Sequence, residues 1–223
     1  KIKLNPKYTL NNYIIGKFNE SPYAVAEAIV NEPIPKYNPF FIYGRAGQGK
    51  THLIQAIGNK IKKLYKNKKV LYVNSEILIK DLISVIRREK TPDEFQNKYL
   101  KYDVIIIDDL QFIAGKKATE EEVAYFFDLL LKNNKQLIVS LGDEPKCFVK
   151  LIDHARRNYI GMIMADIGKP DEESRKIIIK AKANKKNIHL TKKVIQFLAQ
   201  ATKHCDIRKL DGLLNTILIH QRI

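Results

Sequence analysis

Short apolar runs alternate with amphipathic stretches along the chain. Phe40-Phe41-Ile42-Tyr43, Lys69 to Asn74, Asp103 to Asp109, Gln136 to Ser140 and Ile160 to Ile167 each read as a strand region. Val104 to Ile107 has no polar interruption, the pattern of a strand covered on both faces. Between these runs the apolar period becomes helical. Leu53, Ile54, Ile57, Ile61 and Leu64 follow the first strand, and Ile79, Leu82, Ile83 and Ile86 share a predicted helix from Ser75 to Lys90. Ser21-Pro22 reads as an N-cap with Pro at the first helical position, for a helix to about Asn31. Pro33, Pro35 and Pro39 then break the chain before the first strand. Thr91 to Glu94 and Thr119 to Glu122 read as capping boxes, the second opening a helix to about Asn133. A short helix is expected from Glu144 to about His154.

Helix separates every strand from the next, which predicts an α/β fold: a parallel five-stranded sheet flanked by helices on both faces. Two helices lie between the second and third strands, one more than a crossover needs, so a helical insertion is expected at about 75–101. From Asp171 onward the pattern is helical only, with helices over about Asp171 to Ala183, after Thr191 and from Asp206. The expected division is an α/β domain at 1–167 and a small C-terminal all-helical lid at 168–223. No internal repeat or low-complexity tract is present.

The turn after the first strand carries chemistry. Gly44-Arg45-Ala46-Gly47-Gln48-Gly49-Lys50-Thr51 matches G-x-x-x-x-G-K-[ST], the phosphate-binding loop. A triphosphate needs several backbone N–H donors aimed inward, which a glycine-rich turn supplies, and the following helix adds its positive end. Lys50 is expected to reach the β- and γ-phosphates, and the Thr51 hydroxyl to hold Mg2+. Gly44, Gly47, Gln48, Gly49 and His52 complete the expected cradle. The third strand ends in Asp108-Asp109, the second signature: Asp108 is assigned to the metal and Asp109 to the attacking water. The apolar residues Ile14 and Ile15, just ahead of this unit, read either as an adenine-packing surface or as ordinary core. Arg208 stands in the first turn of the last helix, against the helix dipole. It reads either as a cation poised toward a phosphate across the cleft or as a surface residue.

Composition narrows the classes. The chain has 223 residues, 45% of them hydrophobic, with a formal net charge of +16. Such a charge suits a polyanionic partner, and equally a solvated lysine-rich surface. Cys147 and Cys205 form no CxxC pair, and the five histidines lack metal-ligand spacing, so reduced thiols are expected. No apolar run is long enough for a membrane span and no signal-peptide pattern is present. The first residue is Lys, which predicts an excised segment with flanking domains outside it.

LNPKYTLNNYIIG (4–16), YNPFFIYGRAGQGKTHLIQAIGN (37–59), DVIIIDDLQFIAGK (103–116) and DIRKLDGLLN (206–215) together resemble the AAA+ ATPase part of the bacterial replication initiator family DnaA. The resemblance covers nearly the whole chain. It implies a P-loop AAA+ NTPase that binds ATP or ADP with Mg2+ between the α/β domain and the lid. It further implies ATP-dependent self-assembly on origin DNA, duplex opening, and slow hydrolysis that resets the switch. Arg208 then matches the sensor-2 arginine. Ile83 and Lys116 fall on single-strand contact positions, and Arg87, Arg88, Lys117 and Thr119 are candidate DNA-binding neighbours. Replicative helicase and regulators are implied partners through flanking domains, in a bacterial cytoplasmic, nucleoid-associated setting.

The chain departs from the family pattern at named places. The usual Arg-Phe pair that ends the finger motif reads Asn158-Tyr159, leaving Arg156 or Arg157 as candidate finger. The usual Ser-Asp-Arg after the fourth strand reads Leu141-Gly142-Asp143, and the Arg two places after Lys116 is Ala118. Two competing functions accompany the leading one. The first is a helicase loader or DnaA-related regulator. The second is a nucleotide-binding interaction module with little or no turnover.

Overall fold

A computed structural model of the chain describes residues 3–32, 35–87, 89, 91–113, 117–142, 153, 155 and 157–220. The strands are β1 (Phe40–Tyr43), β2 (Val70–Asn74), β3 (Val104–Asp108), β4 (Gln136–Ser140) and β5 (Ile163–Asp166). They form one parallel sheet in the order β2-β3-β4-β1-β5. The helices are α1 (Glu20–Asn31), α2 (Lys50–Leu64), α3 (Ser75–Ile86), α4 (Pro92–Leu100), α5 (Lys117–Lys132), α6 (Glu172–Lys185), α7 (Lys192–Ala201) and α8 (Ile207–His220).

The two-residue period of each strand splits the core into two layers. Phe40, Ile42, Tyr72, Val104, Ile106 and Ile138 face the layer filled by Ala26 and Ile29 of α1 and Leu53, Ile54, Ile57 and Ile61 of α2. Phe41, Leu71, Val73, Ile105, Ile107, Leu137 and Val139 face the other layer, filled from α3, α4 and α5. Connections after β2 and β3 run across one face, and α2, leaving β1, crosses the other, as right-handed crossovers require for this order. The turn after β1 leads into the crossover on that face and sits at the carboxyl ends of the strands, where open α/β sheets leave a crevice for ligands.

Several element ends differ from the sequence expectation. Helix α1 begins at Glu20 with Asn19 at the cap position, not Ser21. The Asn19 carboxamide is already committed: Nδ2 donates to Ile14 O at 2.9 Å, and Oδ1 accepts from Gly16 N–H at 2.8 Å. Pro22 still falls in the first turn, where its lost N–H costs nothing. Helix α3 ends at Ile86 rather than Lys90. The Thr91 capping box with Pro92 forces an extended residue at Thr91, so a connection must precede α4. The buried face of α3 is Leu78 and Leu82, with Ile83 half-buried beside it. Helix α5 opens at Lys117, because Lys117 and Ala118 are good helix formers and carry the turn past the expected Thr119 cap. Strand β5 starts at Ile163, since Ile160 is fully exposed and Met162 N–H closes a turn onto Tyr159 O at 3.2 Å. Leu64, in the last turn of α2, is exposed where the helix outruns the sheet. The expected helix at 144–154 lies outside the described residues apart from Asp153.

Helices α3 and α4 are held together by a polar contact inside an aromatic cluster. Phe95, Tyr99 and Phe126 pack with ring centroids 4.9 to 5.0 Å apart. Buried Asp81 accepts from the Tyr99 hydroxyl at 2.7 Å and from Lys98 Nζ. Helices α6, α7 and α8 pack on each other around Ile178, Ile179, Leu198 and Leu210. Ile14 and Phe18, from the segment before α1, pack against that cluster. A Lys182–Asp211 ion pair at 2.5 Å ties α6 to α8. Among the described residues no helix is long and apolar enough to cross a membrane.

Replacing Asp81 strands the Tyr99 hydroxyl in an apolar layer. Asp81→Ala is therefore expected to lower unfolding free energy by about 1–3 kcal/mol, measured by urea denaturation. Asp81→Asn, which keeps an acceptor for Tyr99, is expected to lose less.

Candidate nucleotide-binding site

The loop between β1 and α2 takes its shape from two left-handed residues, Gly47 at φ +80° and Gly49 at φ +102°. Any side chain there is strained, so glycine is what lets the backbone curl back beneath the start of α2. Lys50 is 6% exposed, and its Nζ donates to Gly44 O at 2.5 Å and Arg45 O at 3.0 Å. The ammonium is thus folded over the loop that it would serve. A cleft of about 590 Å³ opens above it, lined by Gly49, Lys50, Thr51, Asp109, Gln111 and Arg208 among others.

The carboxyl end of β3 supplies the acids. Strand alternation points Asp108 to the same face as Tyr72 and Ile106. Asp108 is 3% exposed and accepts from the Tyr72 hydroxyl at 2.7 Å and from the Ser140 hydroxyl. Burial first, then the Asp108 charge, pushes the Tyr72 phenol far above its ordinary range, which keeps it a donor. Asp109 breaks the strand geometry at φ +56°. Its backbone is held from both sides: Asp109 N–H donates to Ser140 Oγ at 2.8 Å, and Ser75 Oγ donates to Asp109 O at 2.7 Å. Gln111 Nε2 donates to Asp109 Oδ1 at 3.0 Å. A left-handed aspartate held by three neighbours is the kind of local strain found at functional sites.

A second cleft of about 870 Å³ runs between the first segment, α2 and the last helices. Tyr13, Ile14, Phe18, Gln48, His52 and Arg208 are among its walls. The segment at 5–12 is fastened to α2 by polar residues on that helix. Gln55 Oε1 accepts from Asn5 N–H at 2.8 Å, and Asn59 Nδ2 donates to Asn5 O and Tyr8 O, both at 2.8 Å. His52 Nε2 lies 3.1 Å from Thr9 O and 3.0 Å from Asn12 Oδ1. Asn12 Nδ2 donates to Lys7 O, which leaves Oδ1 as acceptor, so the proton is on His52 Nε2. The ring stacks on Tyr8 at 4.8 Å and meets Tyr13 edge-on at 5.1 Å. Tyr13 Oη is buried without a hydrogen-bond partner among the described residues, and burial pushes its phenol up to about 12.

The structure brings Gly47, Gln48, Gly49, Lys50, Thr51, His52, Asp109, Ile14 and Arg208 to these two clefts. Gly44 lines neither cleft and is the acceptor for Lys50, and Asp108, buried at the end of β3, lines neither cleft. Ile15 is not brought in: it is 43% exposed and lines neither cleft, because the turn at Gly16 aims Ile14 inward and Ile15 out. Its neighbour Tyr13 takes the inner place. Ile83, half-buried, and Arg87, exposed, lie on or just after α3, which packs against α5, where Thr119 is half-buried. Arg88 and Lys116 lie outside the described residues, as does the Lys117 side chain. Arg157 is exposed and lines neither cleft, and Arg156 lies outside the described residues. Gly142 borders the smaller cleft with no side chain, and Asp143 is outside the described residues. Tyr159 donates to Asp128. Tyr72, Ser140, Gln111 and Tyr13 were not candidates from sequence. The signal for Ser140 is its place at the end of β4, one step past the Ile107–Val139 pairing and so beside Asp108.

The donor set suits Mg2+ with a polyphosphate. Thr51 and Asp109 offer hard oxygens on one cleft, and Asp108, already accepting from two hydroxyls, keeps lone pairs for a metal-bound water. Among the described residues no group of three or more His, Cys, Asp or Glu side chains gathers for a metal. Mg2+ commonly takes only one or two carboxylates, completing its shell with phosphate oxygens and water.

Comparison with known proteins gives a consistent picture. A family model for the bacterial DnaA ATPase domain matches residues 4–165. The chromosomal replication initiator protein DnaA of Thermomicrobium roseum is 39% identical over 225 residues, covering 99% of this chain and 48% of that protein. The chain thus spans about half the length of the curated relatives it matches. The crystal structure of domain III from the Thermotoga maritima replication initiation protein DnaA superposes with a TM-score of 0.85 at 32% identity, covering 99% of this chain and 91% of that one. A replication initiator DnaA bound to AMPPCP and single-stranded DNA superposes with a TM-score of 0.81 at 33% identity, covering 97% of this chain and 66% of that one.

His52 makes the site a source of acid sensitivity. Burial holds its pKa below the ordinary 6.5, and Lys185 and Lys182 add to this, against the pull of the Thr9 carbonyl. As pH falls, the unfolded chain takes up this proton before the folded one. The stability linked to His52 is therefore whole above about pH 6.5 and declines as pH drops through the lower folded value. His52→Gln is expected to lose less melting temperature than the unaltered chain between about pH 7.5 and pH 5.5. Equal losses in the two would contradict this.

Proposed function

The chain belongs to the bacterial DnaA ATPase family of AAA+ domains, and from that membership we propose that it is the ATP-dependent motor and switch of a chromosomal replication initiator. ATP-bound subunits assemble on origin DNA and help to open the duplex, and hydrolysis to ADP resets the switch. The observation that carries this reading is one cleft lined together by Lys50, Thr51, Asp109 and Arg208, between the carboxyl ends of the strands and the last helix.

The residues divide the work. The loop N–H groups from Gly47 to Thr51 and the positive end of α2 take the phosphates. Lys50 leaves the carbonyls of Gly44 and Arg45 to meet the β- and γ-phosphates. Thr51 and Asp108 hold Mg2+, which when bound neutralises charge on the phosphate oxygens. Asp109, fixed by Ser140, Ser75 and Gln111, orients the attacking water. Arg208 reaches the phosphates from the helical lid and reports their presence to it. Tyr13, Ile14 and His52 wall the half of the cleft that takes the adenine. Arg157, exposed and away from its own subunit's cleft, is free in position to serve a neighbour's γ-phosphate, as Arg156 would from the adjoining position. Single-stranded DNA is contacted through the insertion and the start of α5, by Ile83, Arg87, Arg88, Lys116, Lys117 and Thr119. Helicase and regulators engage parts of the whole protein beyond this chain, in the bacterial cytoplasm at the nucleoid.

One observation favours a second reading, an interaction module that binds nucleotide with little turnover. Gly142, two residues past β4, borders the cleft without offering it a polar side chain.

Nucleotide binding and turnover separate the readings. Lys50→Ala is expected to weaken ATP binding by roughly 10- to 100-fold, the loss of a charge-assisted hydrogen-bond donor, in a fluorescent-nucleotide titration. Asp109→Asn is expected to bind within a few-fold of the unaltered chain and to hydrolyse about 100-fold more slowly. A parent rate no higher than that of Asp109→Asn would leave only the second reading.

A further inference from the structure

A loop built to gather phosphate oxygens does not call for a carboxylate against its backbone, yet the lid supplies one. Asp206 immediately precedes α8. A Cβ built on Gly47 would stand 2.7 Å from Asp206 Oδ1, 2.9 Å from Cγ and 3.1 Å from Oδ2. Only a residue without a side chain admits the carboxylate so close to the loop. Asp206 is fixed there from both sides. Its Oδ1 accepts from Arg208 N–H at 2.5 Å, in the manner of a helix cap. Behind it, the guanidinium of Arg175, 2% exposed, donates to Cys205 O at 3.1 Å and to Lys203 O at 3.5 Å. Cys205 N–H closes the same turn onto Thr202 O at 2.9 Å. A buried cation spent on two backbone carbonyls holds this turn, and with it Asp206, against the loop.

We propose that Asp206 sets the affinity of the chain for nucleotide phosphates, opposing through its charge what Lys50 and Arg208 attract. This rests on the nucleotide reading given above and adds a release element to it. Like charges held several ångströms apart repel, and the penalty grows with the charge on the ligand. The lid therefore carries an attractive and a repulsive group two residues apart, and the repulsive one keeps the bound nucleotide exchangeable. A cap alone would have no such effect, because asparagine and serine cap a helix about as well as aspartate.

The test compares Asp206→Asn and Asp206→Ser with the unaltered chain by calorimetric titration with ADP, ATP and adenosine. Both variants keep the cap and lose the charge. ADP is expected to bind roughly tenfold more tightly to each variant and ATP to gain more than ADP, while adenosine, which has no phosphate, binds all three proteins alike. The gain is expected to shrink as salt is raised. Unchanged ADP affinity in both variants, or weaker binding because Asp206 assists the metal, overturns the proposal while leaving the nucleotide reading intact. A parallel gain for adenosine also overturns it, since the effect would then be one of lid position. Absence of ADP binding in all three proteins removes the nucleotide reading and this proposal together.

Discussion

A carboxylate buried at the end of an interior strand must be satisfied, and much of this molecule follows from satisfying Asp108. Its two hydroxyl donors come from neighbouring strands, Tyr72 from β2 and Ser140 from β4. Both reach it only in the observed register, with Ile106 opposite Tyr72 and Ile107 opposite Val139. A slip of one residue would turn each of these side chains to the opposite face. Ser140 then does a second task, accepting the N–H of Asp109 and holding that residue in its left-handed conformation. The register of three strands thus fixes the positions of both carboxylates, Asp108 and Asp109.

The second organising constraint is that α2 serves two surfaces. Its apolar side, Leu53, Ile54, Ile57 and Ile61, covers the sheet. Its other side carries His52, Gln55 and Asn59, which hold the backbone of residues 5–12. Ile14 and Phe18, just beyond, pack into the core of the lid. The phosphate loop, the first segment and the lid are consequently linked through one helix. A ligand that tightens the loop has a direct route to the lid, through Asp206 against Gly47 and Arg208 over the cleft. Such coupling is what a nucleotide-driven switch requires.

The sheet, its parallel sense and the helical lid were legible because unbroken apolar runs and helical periods sit in alternation, and local signals of that kind survive without tertiary context. Gly47, Gly49, Lys50 and Thr51 were legible because the spacing itself encodes a backbone shape. Polar residues that act across long separations were hidden. Gln55 and Asn59 carry no local sign of their partners, since nothing near them in the sequence tells that residues 5–12 will lie on them. Arg175 likewise has no local mark of its place: it is buried and donates to carbonyls 28 and 30 residues away. Ser140 reads as the end of a strand, and only register reveals its partners. The start of α1 shifted because Asn19 bonds the turn just before it, at Ile14 and Gly16, a short-range pairing that the cap signal at Ser21 does not reveal.

The claim at the centre of the account is that the phosphate content of one bound nucleotide governs what this chain does with DNA. Analytical ultracentrifugation of the chain with a short single-stranded oligonucleotide tests it most directly, run once with a non-hydrolysable ATP analogue and once with ADP. The account predicts large protein–DNA complexes with the analogue and none with ADP. The same sedimentation coefficient in both states, with nucleotide demonstrably bound, would contradict it.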